Sequence, residues 1–262
     1  MNIRDLETTR IKTLVIGAGP AGLTFGYSYS QFRNDFIIID MGKCLTNRDR
    51  NDEFDCIAGL GGAGLFSDGK FSFFLSGTNI WELQNKEMLK DAYSHLQGLF
   101  KNAINFKVPD FPEDKMIKEM NSNEAYELKE YPSFYLSLED RIKLVEEMTN
   151  RIKDKLLLGW KVIDWEREDQ KYLVQIEMGD LKQIIKCESI VLAGGRFHPF
   201  LLKNIPKEFK RYEYGVRIVG SNSEFDLIRS ENTIDPKWIY KPSPDIEYRI
   251  PYFLYVSGWR IC

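Results

Sequence analysis

Two short apolar runs, separated by a glycine-rich turn and a stretch of helix length, begin the regular pattern of this chain. Residues 14–16, Leu-Val-Ile, lead into Gly-Ala-Gly-Pro-Ala-Gly at 17–22, and residues 36–39, Phe-Ile-Ile-Ile, end on Asp40. This order predicts a strand, a turn, a helix and a second strand over residues 11–40. Because the strands of a parallel sheet are buried on both faces, the continuous apolar runs favour a parallel sheet.

Two longer helices are predicted further along the chain. The first spans residues 81–101, with its apolar face formed by Leu83, Met88, Leu89, Ala92, Leu96 and Leu99. The second begins at Ser137, a candidate N-cap with Asp140 three residues later, and runs to about Leu158. Residues 41–80 are rich in glycine and are expected to be irregular, and no element is predicted over 102–136. A connection as long as 41–80 usually has a function in a compact domain.

Extended segments dominate the later part of the sequence. Alternating residues predict strands at 161–166, 172–177 and 181–187, with Gly179-Asp180 as the hairpin turn between the last two. The apolar run at 189–193 is expected to be a buried parallel strand that returns to the first sheet. A further strand is predicted at 215–219. Together these elements predict an α/β fold with a central parallel sheet and a β-hairpin crossover.

Composition narrows the functional classes. The 262 residues allow one large or two ordinary domains, and a net charge of −3 gives no basic footprint for nucleic acid. The four cysteines lack metal-ligand spacing and only two histidines are present, so we expect reduced thiols and no metal site. No apolar run approaches the roughly 20 residues of a membrane span, and the N-terminus lacks the apolar region of a secretory signal. We therefore expect a cytoplasmic protein without a membrane partner.

The glycines at 17–22 have the spacing of a dinucleotide-binding fingerprint in its required strand–turn–helix context. Gly17 permits the tight turn, Gly19 allows a pyrophosphate to approach the backbone, and Gly22 lets the helix pack closely on the sheet. The helix N-terminus presents free N–H groups and partial positive charge to the phosphates. Asp40 is placed to accept hydrogen bonds from the adenosine ribose. A carboxylate there would repel a 2′-phosphate, which favours FAD or NAD over NADP.

Three stretches together resemble the FAD-dependent dehydrogenases or oxidoreductases of the two-dinucleotide-binding-domain flavoprotein group, whose FAD-binding domain is glutathione-reductase-like. They are the fingerprint with Asp40, the segment at 59–70 that is similar to that group's GGAGxxSDGK motif, and the strand end at 190–196. The resemblance implies a Rossmann-like FAD-binding domain over 1–100 and 137–200. It assigns 101–136 and 201–262 to an incomplete substrate or cap region.

The resemblance also implies which residues hold the FAD. Pro20 and Ala21 join the three fingerprint glycines at the pyrophosphate, and Met41, Lys43 and Arg50 lie just past Asp40, where a basic contact is common. Val162 would offer backbone groups to the adenine, and Ala193 and Gly194 would pass close to the cofactor, with Gly194 where the group usually has threonine. The remaining implied cofactor residues follow the second motif: Gly61, Gly62, Ala63, Gly64, Ser67 and Asp68. Lys43 and Arg50 can equally be surface charges. Ser67-Asp68-Gly69 could be a plain turn, although the neighbouring glycines favour a cofactor loop.

The leading hypothesis is an oxidoreductase that passes hydride between a small-molecule substrate and the flavin, with NAD(P)H or another electron partner. Arg196, His198 and Arg217 are weak candidates for substrate contact or proton transfer. No Gly-Asp segment followed by a helical pattern appears after Gly195, so we expect a truncated homologue of the group, a natural fragment or one part of a split enzyme. Two alternatives stay open: a homologue that binds a nucleotide or a partner chain without turnover, and a simple NAD-binding Rossmann dehydrogenase. The segment at 59–70 and the hairpin before residue 190 argue against the NAD-binding dehydrogenase, because simple NAD-binding folds usually continue with parallel strands and helices.

Overall fold

A computed structural model of the chain describes residues 11–74, 76–112, 126–129, 132–195, 237–243 and 246–251. The chain divides into two compact units. The first holds the described residues of Met1–Gly69, Asn102–Asn105 and Ser137–Lys210; the second holds those of Lys70–Lys101, Phe106–Leu136 and Arg211–Cys262. The predicted strand at 215–219 lies outside the described residues.

The described elements alternate between strand and helix only in the first part of the chain. In chain order the strands are β1 (Thr13–Ile16), β2 (Phe36–Asp40), β3 (Lys70–Ser72), β4 (Tyr126–Lys129), β5 (Ser133–Tyr135), β6 (Leu156–Leu158), β7 (Lys161–Glu168), β8 (Lys171–Met178), β9 (Leu181–Cys187), β10 (Ser189–Leu192), β11 (Lys237–Ser243) and β12 (Ile246–Pro251). The α-helices are α1 (Pro20–Tyr29), α2 (Glu53–Ile57), α3 (Thr78–Trp81), α4 (Lys86–Ile104) and α5 (Leu138–Ile152). Short 3₁₀ turns occur at Leu45–Asn47, Ala63–Phe66 and Lys153–Lys155.

A four-stranded parallel sheet forms the centre of the first unit, with strand order β10-β1-β2-β6. Val15 of β1 pairs with Ile38 of β2 on one side and with Val191 of β10 on the other. Both central strands are buried along their length, apart from the half-buried Asp40 at the end of β2. The predicted strand–helix–strand unit and the predicted α/β fold class with a parallel sheet are therefore confirmed.

A three-stranded antiparallel sheet, β7-β8-β9, lies in the chain between β6 and β10. Met178 pairs with Leu181 across Gly179-Asp180, which confirms the predicted hairpin. Side chains from both sheets of the first unit form one apolar core, whose burial removes hydrocarbon surface from water. Its members are Ile11, Leu14, Ile16, Ile37, Ile39, Leu157, Trp160, Val162, Val174, Ile176, Ile185 and Cys187.

Helices α1 and α5 pack against each other in the same unit, and α1 also lies against β2. A Cβ atom on Gly26 of α1 would lie 2.6 Å from Ile38 Cδ1 and 3.0 Å from Ile152 Cδ1, so the missing side chain permits this close packing. Helix α5 begins as predicted, because Ser137 Oγ accepts a hydrogen bond from the Asp140 amide at 3.1 Å.

The structure corrects the predicted end of α5. The helix ends at Ile152 rather than near Leu158, and the three leucines of β6 pair with β2 instead, with Ile38 opposite Leu156. An apolar run can form part of a helix or a strand, and here these leucines form a strand because they pair with the edge of β2. The run at 189–193 was expected to be a buried parallel strand that returns to the sheet, and β10 does pair parallel with β1. It is only half-buried, with Leu192 46% exposed, because β10 borders the sheet in the described part of the chain.

Two further predictions were partly wrong. The helix predicted over 81–101 spans Lys86–Ile104 and buries Tyr93, Leu99 and Phe100, whereas Leu83 and Met88 are exposed. The buried face is therefore set by aromatic contacts within the second unit, such as the edge-on packing of Phe71 on Phe100. Residues 41–80, expected to be irregular, contain the short elements α2, α3 and β3 and two 3₁₀ turns.

The second unit contains two small sheets. Strands β3 and β5 pair antiparallel, and β4, β11 and β12 form a separate antiparallel sheet with the order β12-β11-β4. Aromatic rings fill its core, including the stacked pair Phe71 and Phe134 with centroids 5.7 Å apart.

Candidate functional site

The turn between β1 and α1 is built by glycines that the protein itself requires at two of three positions. Gly17 has φ +111°, and a Cβ there would lie 2.4 Å from the Ala193 carbonyl oxygen. A Cβ on Gly22 would lie 1.9 Å from the Gly17 carbonyl oxygen, so any side chain would separate α1 from the turn. These two contacts join the turn, the first helix and the end of β10 into one tightly packed corner.

Gly19 differs from both neighbours in the fingerprint. Its φ is −76°, which any residue adopts, and a Cβ there would meet only Gly62 Cα, at an ordinary 3.7 Å. Gly19 is the N-cap of α1, and the side chains of Pro20 and Ala21 beside it are exposed. By helix geometry, the amides of Ala21 and Gly22 have no acceptor within the helix. The missing side chain therefore leaves space in front of a helix N-terminus that an anionic group can approach.

A second glycine segment, residues 59–67, lies beside this turn, and we call it the glycine loop. Gly59, Gly61 and Gly62 have φ values of +102°, +89° and +61°, which L-residues with side chains rarely adopt. The Gly61 amide donates to the Ala18 carbonyl at 2.9 Å, and a Cβ on Gly62 would lie 2.9 Å from Gly19 Cα. The structure therefore brings the two glycine motifs into direct backbone contact, with Ala63 and Gly64 exposed next to Pro20.

Asp40 connects the end of β2 to both glycine motifs. Its Oδ2 accepts a hydrogen bond from the Ala18 amide at 2.7 Å, and its Oδ1 accepts from the amides of Gly42 at 2.8 Å and Gly59 at 2.9 Å. The predicted contact with a ribose stays a prediction. Two donors occupy the lone pairs of Oδ1, while Oδ2 retains capacity for one more.

Arg48 is a functional candidate that the sequence reasoning missed. It is 8% exposed and its guanidinium donates to the carbonyl oxygens of Asp55, Leu60 and Gly62, with Nη1–O 2.7 Å to Leu60 and Nη2–O 3.0 Å to Gly62. Its Cζ also lies 4.7 Å from the centroid of the Phe66 ring. Burial lowers the pKa of Arg48, and the nearby Asp40 and Asp55 carboxylates oppose this shift. Arg48 therefore holds two carbonyls of the glycine loop from inside the protein.

Arg141 of α5 holds the other end of the same loop and was also missed. It is 5% exposed, and its Nη1 donates to the carbonyl oxygens of Leu65 at 2.8 Å and Ser67 at 2.6 Å. Burial lowers the pKa of this guanidinium, and the Asp68 carboxylate acts in the opposite direction. Arg48 lies within the glycine-rich stretch of the sequence, but its charge alone does not distinguish it from a surface residue. Arg141 is far from that stretch in the chain, and no sequence signal connects the two.

Lys43 forms an ion pair with Asp55, and its predicted contact with the cofactor stays a prediction. Its Nζ donates to Asp55 Oδ2 at 2.9 Å, and the same oxygen accepts from the Asp49 amide at 2.8 Å. The Lys43 hydrogen bond, then the Asp49 amide, lowers the pKa of the fully buried Asp55 carboxyl below its usual range. This ion pair fixes α2 beside the segment that carries Arg48.

The other predicted cofactor residues fall into two groups. Ala193 and Gly194 lie directly against Gly17, whereas Met41, Arg50 and Asp68 are exposed. Ser67 Oγ donates to the Gly64 carbonyl at 2.8 Å and accepts from the Gly69 amide at 3.1 Å. Both bonds are those of a local turn.

Val162 is a core residue at the start of β7, at 6% exposure, where the pairing with β8 shifts register between residues 162 and 164. Such a bulge leaves backbone groups unpaired. This is compatible with the predicted backbone contact to adenine, which stays a prediction.

Arg196, His198 and Arg217, the candidates for substrate contact, lie outside the described residues. Within the described ranges, no group of three or more His, Cys, Asp or Glu side chains could hold a metal ion. Likewise, no helix in the part of the chain that the structure describes is long and apolar enough to cross a membrane.

Neither a known family model nor a curated protein matches this sequence. Partial likenesses exist among solved structures. They include an oxidized steroid monooxygenase bound to NADP (12% identity, TM-score 0.36), the bacillithiol disulfide reductase of Bacillus cereus (14%, 0.36) and OTEMO in complex with FAD and NADP (12%, 0.39). The matched regions cover 70%, 70% and 71% of this chain but only 26%, 39% and 26% of those chains. This chain therefore spans less than half the length of each of these proteins.

Proposed function

We propose that this chain binds FAD and is part of an oxidoreductase that acts on a small-molecule substrate. The pyrophosphate of FAD would lie at the N-terminus of α1, between residues 17–22 and the glycine loop. When bound, the flavin supplies hydride transfer; the protein binds and orients it. The flavin would exchange hydride with a small substrate and with an electron partner such as NAD(P)H.

The observation that supports this proposal most strongly is the open position at Gly19. The protein needs glycine at 17 and 22 to avoid its own backbone, but nothing within the described structure requires glycine at 19. Gly64 is similar, because a Cβ there would meet only Pro20 Cγ at 3.6 Å. Gly19 and Gly64 both lie next to Pro20, close to the unpaired amides at the start of α1, and neither position needs glycine to avoid a steric clash within the described structure. A ligand whose phosphates approach the backbone accounts for both.

The order of the strands favours FAD over a simple NAD-binding fold. An antiparallel sheet, β7-β8-β9, interrupts the parallel sheet before β10 returns beside β1. A simple Rossmann dehydrogenase usually continues with parallel strands and helices at this point. The carboxylate at Asp40 additionally favours a cofactor with an unphosphorylated ribose.

The visible spectrum of the purified chain, followed by titration with FAD and with ADP, tests the proposal. We expect the bands of oxidised flavin, either in the purified protein or after FAD is added and the unbound excess removed. A chain that binds ADP but never retains flavin would support the alternative of a nucleotide-binding homologue without turnover. A chain that binds neither compound would overturn the proposed function.

A further inference from the structure

We propose that Arg48 and Arg141 are positioning residues that hold the glycine loop in the shape in which it receives the cofactor pyrophosphate. This inference rests on the proposed function. Neither arginine needs to touch the cofactor, because both act on the backbone of the loop.

The contacts of Arg48 explain how it would act. Its guanidinium donates to the carbonyl oxygens of Leu60 and Gly62, one on each side of Gly61. In a trans peptide the carbonyl and the following N–H point in opposite directions. The Gly61 amide accordingly points away from Arg48 and donates to the Ala18 carbonyl, which lies inside the fingerprint turn. The Ala63 amide, which follows the Gly62 carbonyl, also points away from the arginine.

Arg141 repeats this arrangement at the other end of the loop. It captures the carbonyls of Leu65 and Ser67, 76 and 74 residues away in the chain. The two guanidiniums together hold five carbonyls of the loop, those of residues 60, 62, 64, 65 and 67, in a segment in which three glycines have positive φ. Glycine-rich backbone loses much conformational entropy on ordering, so such a loop needs strong contacts to keep one shape.

The two guanidiniums contact the loop through its carbonyl groups. Every hydrogen bond that the structure shows for their guanidiniums goes to a backbone carbonyl. Both guanidiniums therefore act on the carbonyl side of the loop, opposite to the Gly61 and Ala63 amides, while the Asp40, Asp55 and Asp68 carboxylates offset part of their charge.

The rigid guanidinium of Arg48 places Nε, Nη1 and Nη2 on three carbonyls at once, and that of Arg141 places Nε on the Ser137 carbonyl while Nη1 meets the loop. The ammonium of lysine, on a flexible stem, does not reproduce either arrangement. The test therefore compares Arg48→Lys and Arg141→Lys with a matched control, Arg151→Lys. Arg151 also belongs to α5, but its guanidinium lies over the Tyr27 ring, 4.7 Å from the centroid, and not at the loop.

Two measurements are made on each variant. Hydrogen exchange of the ligand-free protein reports on the loop alone, and we expect about tenfold faster exchange over residues 59–67 in the two loop variants, without change in the control. Calorimetric titration reports on function, and we expect ADP to bind about tenfold more weakly to Arg48→Lys and Arg141→Lys. Saturating ADP should restore protection of the loop, because the ligand binds the ordered form.

The proposal is overturned if both loop variants exchange and bind ADP like Arg151→Lys. It is also overturned if affinity falls only in proportion to a loss of global stability, measured by urea unfolding, with loop exchange unchanged. If the wild-type chain binds neither ADP nor FAD, the proposed function fails, and the arginines are then merely structural even if loop exchange accelerates. The ligand-free exchange experiment separates these two failures.

Discussion

The Asp40 carboxylate accepts a hydrogen bond from the Gly59 amide at 2.9 Å, which ties the last residue of β2 to the first residue of the glycine loop. The same carboxylate accepts from the Ala18 amide at 2.7 Å, inside the fingerprint turn. Asp40 therefore organises the backbone of both glycine motifs. The predicted ribose contact would be an additional task for the same side chain.

Asp40→Asn should destabilise the ligand-free protein by about 1–3 kcal/mol, because the amide group has one acceptor oxygen and leaves a backbone N–H unsatisfied. Urea unfolding checks this value. Asp154→Asn is the control, since Asp154 is an exposed side chain in a 3₁₀ turn, with a 3.5 Å contact to Lys155. Equal stability of Asp40→Asn and the wild type would show that the three backbone contacts are unimportant.

The ion pair between Lys43 and Asp55 should make stability depend on acid pH. The pKa of Asp55 is lowered in the folded protein, first by the hydrogen bond from Lys43 and then by the Asp49 amide. A lowered carboxyl pKa contributes stability that is fully present above the unfolded value of about 4 and is lost as pH falls through the folded value.

The variant Asp55→Asn removes this contribution. We expect the difference in unfolding free energy between wild type and Asp55→Asn to be largest above about pH 5 and to shrink steadily below pH 4. Chemical unfolding at a series of pH values measures it. A difference that stays constant from pH 7 down to pH 3 would contradict the assigned ion pair.

Cys187 should be chemically inert in the folded protein. Its thiol is 1% exposed in the core of the first unit, and burial raises its pKa to about 11. At pH 8 only about one thiol in a thousand is then ionised, and the thiolate is the reactive form. Alkylation by iodoacetamide followed by peptide mass analysis should leave Cys187 unmodified while the half-buried Cys44 reacts. Modification of both at similar rates would contradict the described packing.

Gly17→Ala should damage the fold rather than the binding site. The added Cβ would lie 2.4 Å from the Ala193 carbonyl oxygen, and φ at this position is +111°. Backbone strain of this kind costs about 1–3 kcal/mol, and the steric contact adds to it. Thermal unfolding of Gly17→Ala beside Gly98→Ala measures the effect, since a Cβ on Gly98 meets nothing within 4 Å. If Gly17→Ala were as stable as the wild type, the close contact between Gly17 and the Ala193 carbonyl, just after β10, would be wrong.

Local patterns were sufficient to predict the part of the site that lies within one stretch of chain. The apolar runs of β1 and β2, the glycines between them and the N-cap at Ser137 all depend on near neighbours, and the structure contains each of them. The end of α5 was mispredicted, because Leu156–Leu158 could continue a helix and only the edge of β2 decides that they form a strand.

The two arginines could not be predicted for a related reason. Arg48 and Arg141 recognise backbone carbonyls, which every residue carries, so their partners leave no mark in the sequence. Lys43 and Arg50 have the same charge as Arg48 and lie close to it in the sequence. Lys43 nevertheless pairs with the Asp55 carboxylate and not with carbonyls of the glycine loop. The sequence does not show that Arg48 and Arg141 are buried against the glycine loop whereas Arg50 is exposed; this follows only from the folded backbone.

A calorimetric titration of the wild type and Gly19→Ala with ADP shows whether a pyrophosphate binds in front of α1. Because the added Cβ meets only Gly62 Cα at 3.7 Å, Gly19→Ala should keep its stability to within about 1 kcal/mol. The methyl group would occupy the space proposed for the pyrophosphate, so we predict ADP binding by the wild type and at least about tenfold weaker binding by the variant. Equal affinity of the two proteins for ADP, or no ADP binding by the wild type, would show that no pyrophosphate site lies in front of Gly19.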